Sequence, residues 1–236
     1  SRRLPFEGIY ATGFNHKAFK YIKGQSIKAS QRLADERGEA PDISGSGNRN
    51  AHLLAVAPNA SSSIICGGTS PSIEPYRANV YTHKTLSGSF QVKNRHLENL
   101  LADKKLNKTE LKDVWKDIAG HEGSVQHLDI LTDEEKEIFK TANEIDQMWI
   151  VEHAAQRQDY ICQAQSVNLF FTIPTATEKQ EVHDEYMQYV NDVHWYGMNK
   201  LKSLYYFRTN AARNAENVNL KVQRIKLDDV ECIACE

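Results

Sequence analysis

Cysteine is scarce in this chain. There are four in 236 residues, and two of them stand at the end as Cys232-Ile233-Ala234-Cys235. Thiols so few, with Cys66 and Cys162 in apolar-looking contexts, do not make a disulfide framework, and a reducing cytoplasm is the expected compartment. Long apolar runs are missing: none approaches the roughly 20 residues a bilayer span requires, and no basic start followed by an apolar core marks a signal peptide. Charge of neither sign dominates. A net charge of −2 gives no bulk attraction to nucleic acid. The nine histidines form no His-Glu-x-x-His or comparable metal pattern. Internal repeats and low-complexity segments are lacking as well. The chain starts Ser1-Arg2-Arg3-Leu4 without a methionine, as expected of a processed or trimmed protein or a piece of a longer one.

What is present is ordinary for a globular protein: 40% hydrophobic and 25% charged residues. The spacing of Phe19, Ile22, Ile27, Ala29 and Leu33 predicts a helix over 16–38 that stops at Gly38. A turn-rich stretch, Pro41 to Asn50, follows. Leu53–Ala57 reads as a short buried strand closed by Pro58, and Ser61 to Gly68 as a short helix stopped by two glycines. Residues Asn79–Phe90 favour extended structure, and Leu97–Leu101 and Glu110–Ile118 favour helices. Thr132-Asp133-Glu134-Glu135 has the form of a capping box, predicting a helix from there to about Asn143. A further helix is expected from about Asp146 to Ala164, a buried strand over Asn168–Ile173, a long amphipathic helix over Thr177–Lys202, and a last strand over Leu204–Phe207. The aromatics Tyr186, Tyr189, Trp195 and Tyr196 are read as packing residues, and Cys162 as a small buried hydrophobe. Short strands, apolar on both faces and alternating with helices, favour parallel pairing. Three of them are too few to close a barrel, so the sheet is either small or completes one begun elsewhere.

Four segments carry candidate chemistry. Pro58-Asn59-Ala60-Ser61-Ser62-Ser63 follows a strand and starts a helix. Outward backbone N–H groups and serine hydroxyls there suit a phosphate, although an ordinary serine N-cap is the commoner use of such residues. Gly67–Pro75 holds two glycines and two prolines around Glu74, a rigid connector whose glutamate is either solvated or paired. Tyr205-Tyr206 are two phenols, neutral at pH 7 and able to lose a proton and an electron together. Strand propensity alone also accounts for them, and in a regular strand the two would point to opposite faces. Cys232 and Cys235, beyond a stretch from about Ala211 to Val230 that looks unpacked, suit a swinging dithiol. Zinc would need two more ligands, and a thioredoxin-type motif would need a strand before it and a helix after it.

In their order these segments resemble the C-terminal part of the large, catalytic subunit of class I ribonucleotide reductase. The resemblance is carried by Leu33–Gly38, Asn48–Ala57, Pro58–Ser63, Thr69–Pro75, Gln163–Phe170, Leu204-Tyr205-Tyr206 and the cysteine-bearing end. It implies an α/β fold, the C-terminal portion of a ten-stranded α/β barrel over residues 1–210, with a flexible redox tail over 211–236. It implies that Pro58, Asn59, Ala60, Ser61 and Ser62 cradle the diphosphate of a ribonucleoside diphosphate. Tyr205 and Tyr206 would pass a radical from the small subunit, Tyr206 on that subunit's side. Cys232 and Cys235 would reduce an active-site disulfide and be reduced in turn by thioredoxin or glutaredoxin. No cofactor is expected in this chain, and a di-metal tyrosyl-radical cofactor is expected in the small subunit. The family's thiyl-radical cysteine and its catalytic Asn and Glu have no match here. The expectation is therefore a piece active only with an N-terminal portion of the large subunit and the small subunit. The alternative is a redox or phosphate-binding module that no longer assembles.

Overall fold

The structure, a computed structural model, describes residues 4–85, 88–175 and 177–210. The expected tail, with Cys232 and Cys235, lies outside them. In chain order the elements are α1 (Ile9–Arg37), a 3-10 turn (Pro41–Ile43), α2 (Ser62–Ile65), a second 3-10 turn (Pro71–Ile73), β1 (Val80–Thr85), β2 (Gly88–Lys93), α3 (Arg95–Asp103), α4 (Lys108–Gly120), α5 (Asp133–Ile138), α6 (Gln147–Gln158), β3 (Leu169–Thr172), α7 (Gln180–Lys200) and β4 (Phe207–Asn210).

The helix starts follow local chemistry. Asn107 accepts N–H bonds from Thr109 and Glu110 at 2.9 Å while the Glu110 carboxylate takes the Asn107 N–H at 2.8 Å. Thr132 and Glu135 make the same reciprocal pair, as the Thr-x-x-Glu spacing predicts. That helix is only six residues long and ends at Ile138, short of Asn143. Helix α1 ends where expected, at Gly38, whose φ of 80° only glycine adopts easily.

The parallel sheet is assembled from distant segments. β3 pairs with β4 in parallel, Leu169 opposite Phe207. On the other side of the same run, Gln165 bridges Val56 in parallel, with Ser166 N–H bonded to Val56 O at 2.8 Å. The 53–57 segment is thus one bridge rather than a full strand, and it is half-exposed rather than buried, because it is paired along one edge alone among the described residues. Farther along that edge the Phe170 N–H is taken by the Gln147 side chain at 2.7 Å. Among the described residues the sheet stays open. The extended stretch expected over 79–90 is instead two strands, β1 and β2, paired as an antiparallel hairpin with Val80 opposite Lys93.

Two cores result. One is made by α6, β3 and α7, with Val151, Ala154 and Leu169 fully buried. The other sits under the hairpin, where Leu97, Leu101, Ile118 and Val125 are fully buried against Trp115. Each such side chain contributes at most about 3 kcal/mol by burial. Helix α1 is tied to α6 through polar groups. Asn15 bonds His153 O and Gln156, and the buried Arg157 reaches Asn15 and Gln165 at 3.2 Å each. Its apolar residues Ile9, Tyr10 and Tyr21 face outward. Trp195, expected in the packing, is 73% exposed on the outer face of α7, whereas Tyr186 and Tyr189 pack on the first core. No helix among the described residues is long and apolar enough to cross a membrane.

Candidate functional site

The chain leaves the sheet edge at Val56 and enters the loop Pro58–Ser61, all of it exposed. Asn59 sits in the left-handed region at φ 53°, which Asn tolerates better than most residues. That turn lets the Asn59 carbonyl accept the Ser63 N–H at 3.0 Å. It also places the Ser62 hydroxyl 3.5 Å from Asn59, and the Ser63 hydroxyl bonds Ala60 O at 3.1 Å. Helix α2 is a single turn and its Ser61 gives no side-chain cap. The serines therefore do not serve as an ordinary N-cap, and Ser61 and Ser62 remain on the surface.

Behind the loop lies a cavity of about 350 Å³ lined by Ala60, Ser63, Thr69, Glu74, Arg77 and Tyr81 among others. Of the five residues expected to hold phosphate, only Ala60 lines it. The segment that closes the cavity is strained: Ser72 and Ile73 both have positive φ, 52° and 61°, a conformation a β-branched residue rarely adopts. Two bonds to the central strand hold it there. The Ser72 hydroxyl donates to Ser166 O, and the Glu74 carboxylate accepts from the Asn168 amide. Glu74 is buried, so it is neither solvated nor paired with a simple counterion. Burial raises its pKa, while the Asn168 bond and the guanidinium groups of Arg77 and Arg208 oppose the rise.

Asn168 faces two ways. Its Oδ1 accepts the backbone N–H of Tyr206 at 3.2 Å, and Tyr205 N–H bonds Val167 O at 2.9 Å. The tyrosines thus sit ahead of β4, which begins at Phe207, three residues later than the sequence suggested. Outside the strand they escape its alternation. Their rings lie side by side, centroids 4.1 Å apart at 49°, both about half-exposed. The Tyr206 phenol raises the pKa of Tyr205. The Arg208 guanidinium lies 5.3 Å from the Tyr206 ring, and Arg77 lies 5.4 Å from that of Phe170. Both arginines line a second cavity of about 690 Å³ with Tyr81, Asn143 and Thr209.

The arrangement links the serine loop to the phenol pair without bringing them into contact. The path runs from the loop to the cavity, from Glu74 in its wall to Asn168, and from Asn168 to the Tyr206 backbone. Sequence reasoning missed Asn168, Arg77 and Arg208. The available signal was a single amide inside the apolar run Val167–Phe171, a position that burial makes costly unless both ends of the amide are bonded. Cys162 is also corrected. It is half-buried just past α6, and its sulfur accepts the N–H groups of Leu53 and Leu54 at 3.0 and 3.1 Å. It anchors the 53–57 segment rather than filling a core. Cys66 is exposed.

Comparison with known proteins gives a consistent result. The family described as "Ribonucleotide reductase, barrel domain" matches residues 40–207. The ribonucleoside-diphosphate reductase large subunit of Invertebrate iridescent virus 3 is 43% identical over 222 residues, 93% of this chain and 33% of that protein. The corresponding subunit of Danio rerio is 31% identical over 258 residues, 95% of this chain and 31% of its own length. Among solved structures, the Actinobacillus ureae class Id ribonucleotide reductase alpha subunit superposes with a TM-score of 0.72 at 39% identity, covering 89% of this chain and 36% of that one. The chain spans about a third of the length of these relatives.

Proposed function

The chain belongs to the ribonucleotide reductase barrel-domain family, as a C-terminal part of the large subunit, and on that premise we propose that it supplies one portion of a ribonucleoside-diphosphate reductase active site, completed by an N-terminal portion of the subunit. The open sheet edge at 53–57 is where that portion would add its strands. In this reading residues 1–210 are barrel and 211–236 a redox tail.

Pro58, Asn59, Ala60, Ser61 and Ser62 hold the substrate diphosphate. The exposed hydroxyls of Ser61 and Ser62 and the turned backbone at Asn59 support this role. Tyr206 and Tyr205 carry the radical inward from the small subunit. Each transfer moves one electron and one proton between neighbouring phenols, and the single observation that carries the reading is the 4.1 Å side-by-side placement of two rings that a strand would have separated. The small subunit's di-metal tyrosyl-radical cofactor supplies the oxidising equivalent. After turnover Cys232 and Cys235 reduce the active-site disulfide by exchange, take up its oxidation as their own disulfide, and are reduced by thioredoxin or glutaredoxin.

The test is reconstitution of this chain with an N-terminal portion and the small subunit, assayed for deoxyribonucleotide formation. Tyr205→Phe abolishes reduction and leaves nucleotide binding intact, because phenylalanine has no phenolic proton to give. Turnover undiminished in that variant overturns the radical path. Cys232→Ser with Cys235→Ser allows a single turnover and stops the thioredoxin-driven cycle.

A further inference from the structure

The C-terminal end of α4 and the loop after it bring three ligating side chains together. Asp117 lies in the last turn of α4, His121 caps that helix, and His127 comes from the following loop. One Asp117 oxygen is 3.2 Å from His121 Nδ1 and the other 3.1 Å from His127 Nε2. One donor atom from each of the three residues lies within 4.8 Å of the other two. The imidazoles are stacked, centroids 3.7 Å apart at 25°. His121 Nδ1 is also 3.0 Å from the Asp117 carbonyl oxygen.

We propose that Asp117, His121 and His127 form a binding site for a divalent transition-metal ion, with zinc as the best fit. A tetrahedral ion with N and O ligands at about 2.0–2.1 Å needs its donors about 3.3 Å apart, close to the two distances seen. Two imidazoles and one carboxylate suit zinc, copper or nickel, whereas magnesium and calcium take oxygen ligands. The fourth position is left to water, as the site opens to solvent.

The site is held in shape by buried neighbours rather than by loose surface chain. His127 lies between buried Val125 and Leu128. The loop's Gly123 has φ 86°, and its carbonyl accepts both the backbone and side-chain N–H groups of Asn79 at 3.0 Å. The C-terminal end of the α4 dipole adds a partial negative charge that favours a cation. In the metal-free state the two ring N–H groups rest on the Asp117 carboxylate. A bound ion takes the same ring nitrogens as lone-pair donors, with the ring protons on the opposite nitrogens. Its effect is to clamp the end of α4 to the loop that packs on Ala78 and Asn79.

The experiment uses the full chain carrying Cys232→Ser and Cys235→Ser, since the tail thiols would themselves take the metal. Equilibrium dialysis with Zn²⁺ and the visible absorption of Co²⁺ read stoichiometry and geometry. The expected result is one saturable equivalent, a tetrahedral cobalt spectrum, and a thermal midpoint raised by Zn²⁺ but not by Mg²⁺. His121→Ala, His127→Ala and Asp117→Asn each weaken binding by about tenfold or more and remove the thermal shift, with circular dichroism confirming an unchanged fold. Absence of saturable binding up to millimolar metal in the parent, or affinity unchanged in both histidine variants, overturns the site.

Discussion

Asn168→Ala is the most informative perturbation of the candidate site. The amide makes two bonds at once: its Nδ2 donates to the Glu74 carboxylate and its Oδ1 accepts the Tyr206 N–H. Both Asn168 and Glu74 are buried, at 5% and 7% exposure, so water does not replace what the alanine removes. A bond to a charged group contributes about 1.5–3 kcal/mol and a neutral one about 1 kcal/mol, which puts the loss at about 2.5–4 kcal/mol. Against a total stability of roughly 5–15 kcal/mol, that is a large displacement of the unfolding midpoint. The assay is urea unfolding of the purified chain followed by tryptophan fluorescence, run as a double-mutant cycle with Glu74→Gln. Glutamine keeps an acceptor at the same place and removes the charge. In that background Asn168→Ala strands a neutral amide instead of a carboxylate, so its cost falls by about 1–2 kcal/mol. Because burial raises the Glu74 pKa, the carboxyl takes up its proton above the usual carboxylate range as pH falls, and the coupling fades through that window. Equal costs in the two backgrounds, or a cost for Asn168→Ala below about 1 kcal/mol, would refute the idea that this amide bridges the two segments.

Three further outcomes are expected. Gly123→Ala destabilises by about 2 kcal/mol or more on unfolding, since a Cβ there comes within 2.5 Å of Ala78 Cβ and 2.9 Å of Asn79 N at a φ of 86°. Burial holds the His153 pKa down, opposed by its bond to Phe6 O. The unfolded imidazole, with an ordinary pKa of about 6.5, protonates before the folded one, so stability is lost as pH drops below that value. Replacement by Gln flattens the unfolding midpoint between about pH 7 and pH 5. For Cys162, burial pushes the thiol up, but the N–H groups of Leu54 and Leu53 and the charge of Lys202 outweigh it. With the other three cysteines changed to serine, half-maximal alkylation falls at a lower pH than for a free cysteine.

Helices were the legible part of the fold, because periodic apolar spacing and capping pairs are local. Thr132 with Glu135 and the stop at Gly38 follow from the residues themselves. Pairing direction was less legible. Val80, Tyr81 and Thr82 announce a strand, but nothing in them says that the partner is the next strand in an antiparallel hairpin. The start of β4 was misplaced by three residues because Leu204, Tyr205 and Tyr206 have strand propensity as strong as that of Phe207. What holds the tyrosines out of the strand is the Asn168 side chain, 38 residues away. In the candidate site the residue types were readable as chemistry. Glu74, Asn168, Arg77 and Arg208 became a group only through burial, which a list of residues does not express.

The central strand has a consequence for how the chain reaches its fold. Its neighbours on the two sides come from far along the sequence: Leu53 meets Cys162, 109 positions later in the numbering. Closing so long a segment costs conformational entropy before any contact repays it, and such topologies fold slowly. The hairpin with α3, α4 and α5 lies wholly inside that segment and has its own core, so it is suited to form early and shorten the effective distance between the strand partners. Loss of its core would then slow acquisition of the parallel pairing as well as weaken the hairpin itself.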